Sequence, residues 1–289
     1  MTYQIHRLNF GSVVIDAAMQ IRGRAPGTTI AVPAQGYLIM GGDAPVLVDA
    51  GFRDPSVLGS GGVVEAGQGF AEQLALHGVR PGDLGSVIMT HLHRDHAGHL
   101  YEVPMNVPVV VNRSEMSCAF SGLQGLAYAR ADLAHLVDRM YTPGALHYLD
   151  LDHSGPVEFL PGISCHATGG HTAGSTSIVV DTTEGQACLC GDLIYDVEAA
   201  LVAEPGVTPT AGVQPCFFGH HEPAVTNNFT VSVLQELGAL KRLAKYRFVL
   251  PAHDAPGVLE RGQLTGRING PTIPGPITPI APRAKGASA

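Results

Sequence analysis

Short apolar runs, bounded by glycine, proline and aspartate, recur along the chain and predict strands. The runs occupy residues 37–40, 45–48, 87–89, 109–111, 163–166, 177–180, 187–190 and 248–250. Several have no polar alternation, so both of their faces should be buried. Residues 1–16 alternate between apolar and polar, which is typical of a strand with one solvent face.

Helical periodicity lies between these runs, at 67–77 and most clearly at 226–245. In the second segment one apolar stripe predicts packing against a sheet; it consists of Phe229, Val233, Leu237, Leu240 and Ala244. Residues 113–141 also have a helical pattern, without a matching strand. They form either an insertion that caps a pocket or a plain packed helix pair. Helices between strands make the fold class α/β.

The C-terminal segment 266–289 has five prolines and little periodicity. This composition predicts a Pro-rich C-terminal arm, extended or disordered. The remaining residues, 1–265, are interpreted as a single domain, which their number allows.

Composition excludes several classes of protein. Of 289 residues, 45% are hydrophobic and 15% are charged, so a large core can form and disorder as the main state is excluded. The net charge of −8 would repel a phosphate backbone, so no nucleic acid partner is expected. No 18-residue apolar run is present, so no membrane span is expected.

The cysteines and the first residues bear on the compartment. Five cysteines are an odd number in a chain of this size, so reduced thiols are expected rather than a disulfide framework. Residues 1–16 have no apolar segment of the kind that signal peptides contain. Both observations favour a cytoplasmic location. The oligomeric state stays open, a homodimer included.

Histidines are the unusual feature of the composition, with 14 in the chain. Four metal-ligating side chains fall within six residues directly after the run at 87–89: His91, His93, Asp95 and His96. A strand that ends in a turn directs such side chains toward one point. Imidazole and carboxylate ligands suit zinc, iron or manganese rather than calcium. The segment predicts a metal site.

Further ligands follow other predicted strands in the same manner. They are His171 after 163–168, Asp192 after 187–190 and His253 after 248–250, while Asp49 follows 45–48. Leaving Asp49 aside, the chain offers seven ligands at four strand ends. That number suits two metal ions that share a bridging carboxylate.

With these motifs in this order, residues of roughly 30–255 resemble the metallo-β-lactamase superfamily. The resemblance implies an αββα sandwich and two divalent ions, zinc first, with iron, manganese or cobalt as alternatives. It implies the ligands His91, His93 and His171 for the first ion, and Asp95, His96 and His253 for the second. Asp192 would be the bridge, and Asp49 would orient ligands from behind.

Within that superfamily the chain is most similar to the quorum-quenching N-acyl-homoserine lactonases, which have a tyrosine three residues after the bridging aspartate. Tyr195 stands at that position. The resemblance implies a hydrolase in which a metal-bridging hydroxide attacks the carbonyl of a small neutral lactone or ester. Tyr195 would stabilise the oxyanion, and Asp95 would help to protonate the leaving group.

Other activities remain open at this point. An arylesterase or organophosphate triesterase could use the same ligand set. A mononuclear iron dioxygenase acting on persulfides shares much of the HxHxDH motif. A non-catalytic binding protein on this fold would be expected to have lost ligands, and the sequence retains them all.

Overall fold

The computed structural model describes residues 1–20, 26–53, 62–201, 214–215, 221–222 and 230–280. Two eight-stranded sheets pack face to face in this part of the chain, and helices cover their outer faces. The predicted αββα sandwich is therefore confirmed.

The first sheet contains β1 (Gln4–Asp16), β2 (Thr29–Met40), β3 (Val46–Val48), β4 (Gly62–Val63), β5 (Ser86–Ile88), β6 (Val109–Asn112), β7 (Leu146–Leu149) and β17 (Thr272–Ile273). Its order is β17-β1-β2-β3-β5-β6-β7, and β4 pairs with β1. Strands β3, β5, β6 and β7 are parallel to their neighbours in that series.

The second sheet contains β8 (Val157–Leu160), β9 (Ile163–Ala167), β10 (Thr176–Thr182), β11 (Gly185–Gly191), β14 (Phe248–Pro251), β15 (Gly257–Glu260), β16 (Gln263–Ile268) and β18 (Ile277–Pro279). Its order is β18-β16-β15-β14-β11-β10-β9-β8, with β11 and β14 parallel. A small separate ribbon pairs β12 (Gln214–Pro215) with β13 (His221–Glu222).

The α-helices are α1 (Ala17–Gln20), α2 (Phe70–Ala75), α3 (Arg94–Ala97), α4 (Arg113–Phe120), α5 (Arg130–Met140), α6 (Leu151–Ser154), α7 (Val197–Leu201) and α8 (Val233–Leu243). Short 3₁₀ turns lie at Pro81–Asp83 and Leu100–Glu102. Helices α2, α4 and α5 pack on the first sheet, while α7 and α8 pack on the second. Within the described ranges, no helix has the length and apolar character needed to cross a membrane.

The main core lies between the sheets, where side chains such as Ile39, Ile178 and Phe248 are completely or almost completely buried. The runs predicted to be buried on both faces are so: every residue of β3, β5, β6 and β14 is buried. Burial from both sides fixes the register of each strand, because a slip of one residue would exchange its two faces. It also fixes where each strand ends, which is where the predicted ligands lie.

The C-terminal segment corrects one prediction. The boundary predicted at residue 265 falls inside β16, and β17 and β18 pair with β1 and β16. Thus 266–279 extends both sheets instead of forming a separate arm. Prolines are tolerated there because Pro279 lies in the edge strand β18, where a backbone donor is not required. Residues 281–289 lie outside the described part.

Helix α8 also differs from its pattern. Its buried face consists of Glu236, Ala239, Leu240 and Leu243, whereas Val233 and Ala244 are exposed. Ser232 caps the helix by accepting a hydrogen bond from the backbone N–H of Gln235, so the helix begins later than predicted. The predicted stripe included Phe229, which lies outside the described residues.

Candidate metal centre

All the predicted ligands lie at one edge of the sandwich. Parallel strands end on the same side of a sheet, so the loops after β3, β5, β11 and β14 converge there. The loop between β9 and β10 reaches the same place, because the backbone N–H of Thr176 donates to the carbonyl of Thr90.

The first group of ligands consists of His91, His93, His171 and Asp192, all buried. One ligand atom from each lies within 4.8 Å of all the others. His171 Nε2 is 3.0 Å from His93 Nδ1 and 3.4 Å from Asp192 Oδ2. His91 Nε2 is 3.8 Å from the same carboxylate oxygen.

The second group consists of Asp95, His96, Asp192 and His253, with the same 4.8 Å limit. Asp192 Oδ1 lies 3.1 Å from His96 Nε2 and 3.2 Å from His253 Nε2. His253 Nε2 is also 3.3 Å from Asp95 Oδ2. Asp192 therefore belongs to both groups, with Oδ2 toward the first and Oδ1 toward the second.

The donor set fits metal ions. The Nε2 atom of His91, which faces the other ligands, is buried and has no hydrogen-bond partner within the described residues. A buried polar atom without a partner is costly, and a metal ion would relieve that cost. Imidazole nitrogens with carboxylate oxygens are ligands that zinc and related ions accept.

The histidines of the first group are held neutral. Burial, together with the neighbouring His171, lowers the pKa of His93 to about 3. Burial also lowers the pKa of His91 and of His171, and nearby His96 adds to both shifts. Neutral imidazoles can bind a metal ion without first losing a proton.

The second group has the opposite character. Burial lowers the pKa of His253, but the charges and hydrogen bonds of Asp192 and Asp95 together outweigh burial and raise it to about 10. The pKa of His96 is raised for the same reason, with Asp49 contributing after Asp192. Burial acts to raise the pKa of Asp95, yet the charges of His96 and His253 hold it well below its usual value. These side chains form an ion-paired cluster.

Asp49 supports this cluster from behind. Its Oδ2 accepts hydrogen bonds from His96 Nδ1 at 2.8 Å and from the Thr90 hydroxyl at 2.7 Å, and its Oδ1 accepts from the Thr90 backbone N–H. The residue has a positive φ of 59°, a strained conformation for a side chain other than glycine. These contacts agree with the expected orienting role.

Tyr195 lies against the shared carboxylate. Its hydroxyl donates to Asp192 Oδ2 at 2.5 Å, and its ring stacks on His253 with centroids 5.2 Å apart. Burial and the negative charge of Asp192 raise the pKa of the phenol well above its usual value. The hydroxyl therefore keeps its proton at neutral pH and can act as a donor.

A cavity of about 830 Å³ opens beside Tyr195 and His253. Its wall combines the ends of β1 and β2, helix α7, the loop after β14 and the C-terminal strands; besides those two residues it includes Ala17, Thr28, Ile30, Val32, Asp196, Glu198, Asp254, Arg267, Asn269, Thr278 and Ile280. None of its described lining residues comes from 113–141.

The segment 113–141 contacts the metal loops instead. Residues 113–120 and 130–140 are helical, as predicted, and the chain between them touches both loops of the first group. The Ala127 carbonyl accepts from the Arg94 backbone N–H, and the Gln124 side chain donates to the His171 carbonyl. The Tyr128 ring lies 4.7 Å from the His93 ring.

Sequence reasoning missed Glu115. This carboxylate is fully buried, and its hydrogen-bond donors come from Leu92, Tyr128 and Thr172. Burial raises its pKa to about 7 despite these bonds. A signal existed in the sequence, since Glu115 shares a helix face with the apolar Cys118 and Ala119, three and four residues further on.

Two further histidine-containing segments lie near the ligands in the sequence. His99 follows the HxHxDH motif but belongs to neither group, and its Nδ1 contacts Glu102 at 2.8 Å. Most of the residues 201–225, including His220, lie outside the described part of the chain.

Comparisons with known proteins agree on one family. The family model described as the metallo-beta-lactamase superfamily matches residues 30–253. The N-acyl homoserine lactonase AiiA of Bacillus thuringiensis subsp. kurstaki is 26% identical over 219 residues, which cover 71% of this chain and 80% of that protein.

Solved structures share the fold. An N-acyl homoserine lactone hydrolase, solved with N-hexanoyl-L-homoserine at its catalytic metal center, has a TM-score of 0.65 at 22% identity and covers 88% of this chain and 94% of its own. A probable metal-dependent hydrolase from Staphylococcus aureus has a TM-score of 0.70 at 19% identity, covering 92% and 96%.

Proposed function

The chain belongs to the metallo-beta-lactamase superfamily, and on that premise we propose that it is a dinuclear metal-dependent hydrolase that opens a lactone ring. One observation supports the proposal most: Asp192 places one oxygen toward the three histidines of the first group and the other toward the second group. A carboxylate in that position suits a bridge between two ions.

Bound divalent ions would lower the pKa of a water molecule to about 7 and would polarise the lactone carbonyl. The reaction adds water to the carbonyl carbon, breaks the ring C–O bond and leaves a hydroxy acid. Asp95 is placed to take up the proton that water loses and to return it to the ring oxygen. Its side chain is 16% exposed, whereas that of Asp192 is 2% exposed, so Asp95 is the carboxylate that substrate can reach.

Tyr195 is the proposed donor to the carbonyl oxygen as that atom gains negative charge. In the structure its hydroxyl donates to Asp192. If metal ions occupied the oxygens of Asp192, the Tyr195 hydroxyl would be free to donate to the substrate instead. A donor that acts mainly as charge develops increases kcat more than it tightens substrate binding.

The cavity supports a neutral substrate. At about 830 Å³ it has the size of typical small-molecule sites. Its Arg267 is engaged by Asp254 at 2.5 Å and by Glu198 at 3.5 Å, so an anionic group would compete with two carboxylates. An N-acyl-homoserine lactone has a neutral ring and an acyl tail, and the relative AiiA bears the name of a lactonase for such compounds.

We extend the proposal to metal and compartment. Zinc is the expected ion, because both groups combine imidazole with carboxylate at short range. A cytoplasmic location is supported by the thiols of the described cysteines, Cys118, Cys165, Cys188 and Cys190, which are free and buried. A quorum-quenching function would follow from the proposed activity on acyl-homoserine lactones, the compounds in the name of the relative AiiA.

A substrate panel tests the proposal. Purified, metal-loaded protein should hydrolyse acyl-homoserine lactones faster than aromatic lactones, aryl esters, a phosphotriester or a thioester, and Asp192→Ala should be inactive on all. Fastest turnover of the triester or the aryl ester would favour the esterase alternative instead. One iron per chain with oxygen consumption on a persulfide would overturn the hydrolase assignment.

A further inference from the structure

One buried carboxylate connects the two loops that supply the histidines of the first group. Glu115 Oε1 accepts from the Leu92 backbone N–H at 2.9 Å, and Oε2 accepts from the Thr172 hydroxyl at 2.5 Å. Leu92 stands between His91 and His93, and Thr172 directly follows His171. The loops are far apart in sequence and come from different sheets, so this link joins separate parts of the fold.

The approach of helix α4 to these loops is unusually close. A Cβ on Gly174 would lie 2.0 Å from the Glu115 backbone nitrogen, so only glycine allows the contact. The Thr172 backbone N–H donates to the Ser175 hydroxyl, which closes the His171 loop on itself. The beginning of α4 and this loop thus form one packed unit.

Charge and burial favour a specific function over simple packing. A carboxylate that is fully buried costs free energy unless its oxygens are well satisfied, and an apolar side chain would cost less at this core position. Here each oxygen of Glu115 contacts a ligand-bearing loop. Hydrogen bonds that hold the supports of metal ligands preserve ligand geometry, and their loss reduces metal affinity.

We propose that Glu115 is a positioning residue that fixes the two loops of the first group and so sets the affinity of that group for its ion. This inference rests on the proposed metal site. It assigns to 113–141 a function other than covering a pocket: α4 holds the first group in register. Asp49 holds His96 in the second group by a direct hydrogen bond, whereas Glu115 acts through backbone and threonine neighbours.

Metal affinity tests the inference without reference to any substrate. Glu115→Gln keeps the shape of the side chain but replaces one carboxylate oxygen by an amide NH₂ group. That group donates hydrogen bonds and would face the donors of Leu92 or Thr172. In competition with a chromophoric chelator, the variant should bind its ion in the first group about 10- to 100-fold more weakly than wild type. Thr172→Val should weaken the binding of the same ion.

A control separates positioning from stability. Leu136→Ala opens a cavity in the core that α4 and α5 share with the first sheet, away from both ligand loops. This variant should have a lower melting temperature and a metal affinity near that of wild type.

Cobalt identifies the group that is affected. At limiting cobalt, proton NMR of wild type should resolve shifted imidazole signals from the three histidines of the first group. In Glu115→Gln these signals should be lost before those of the second group. Wild-type affinity in Glu115→Gln would overturn the inference, and so would equal losses in Leu136→Ala. If the chain binds two ions, hydrolyses no lactone and still responds to Glu115→Gln, the proposed function fails while the positioning role stands. A wild-type chain that binds no metal would overturn both.

Discussion

The two ligand groups share Asp192 and lie at the same edge, yet they differ in charge. The first group surrounds the shared carboxylate with three histidines whose pKa values are lowered, mainly by burial. In the second group neighbouring carboxylates, including Asp49 behind His96, together outweigh burial and raise the pKa of His96 and His253. An ion entering the first group meets histidines that are already neutral, whereas an ion entering the second must displace protons from its histidines.

The buried carboxylates that lie behind the two groups, Asp49 and Glu115, also differ in what they contact. The second group has a carboxylate, Asp49, in direct contact with a ligand. The first group has Glu115, which reaches the loops rather than the imidazoles. Asp49 raises the pKa of the ligand that it contacts, His96. Glu115 instead contacts a backbone N–H and a threonine hydroxyl, and so holds the loops in place.

Removing the shared residue should have the largest effect, because it breaks both groups at once. Asp192→Ala should lose at least one ion and most activity. A metal ion stabilises the charge of the transition state by several kcal/mol. Loss of that stabilisation corresponds to a fall in kcat of about 10³-fold or more. Elemental analysis and turnover measure the result, with the exposed Asp150→Ala as control. Full metal content with normal turnover would contradict the bridging assignment.

Tyr195 lies between the two groups, because its ring stacks on His253 of the second group and meets His171 of the first edge-to-face. Tyr195→Phe keeps the ring and removes the donor, so metal content should survive. On a lactone, kcat should fall roughly 10- to 1000-fold with little change in KM. The fall should be smaller on an aryl ester with a good leaving group. Unchanged kcat on every lactone, with two ions bound, would reduce Tyr195 to a packing residue.

The side chains proposed as ligands from the sequence lie together in the fold, because they follow runs that form buried strands. His91, His171, Asp192 and His253 each come directly or shortly after such a run. The superfamily, the fold class and the assignment as a hydrolytic enzyme, all identified from these motifs, agree with the comparisons.

What the sequence did not reveal depends on contacts between distant segments. Glu115 looks like an ordinary helix residue until Leu92 and Thr172 are brought beside it. The C-terminal strands were missed because they are two to six residues long and prolines lie between and within them. They form because β17 pairs with β1, β16 with β15 and β18 with β16, contacts that the local sequence pattern does not reveal.

The lowered pKa values of the first group predict a pH effect on the metal-free chain. A histidine whose pKa is about 3 when folded and about 6.5 when unfolded stabilises the fold above pH 6.5, and this stability is lost as the pH falls toward 3. At pH 5 the loss from His93 would be about 2 kcal/mol. Urea unfolding at pH 7 and pH 5 should show this decrease in the free energy of unfolding in wild type, and a smaller decrease in His93→Gln. Equal pH dependence in the two proteins would contradict the neutral state of this group.

The smallest effect is expected at the insertion loop between α4 and α5. Leu123 is 64% exposed in the segment that contacts the first group. If it meets an acyl tail, Leu123→Ala should raise KM by up to about tenfold for long-chain lactones and less for short ones. Leu76→Ala, a similarly exposed leucine beyond α2, is the control. Equal changes of KM in both variants, or changes of KM that do not depend on the length of the acyl chain, would mean that the loop does not bind the tail.

Calorimetric titration of the metal-free chain with zinc at pH 7, in buffers of different ionisation enthalpy, tests the difference between the groups most directly. The account predicts two ions per chain in two steps. One step should release almost no protons, because the histidines of the first group are neutral. The other should release at least two, from His96 and His253. A single ion per chain, or two ions with equal proton release, would contradict it.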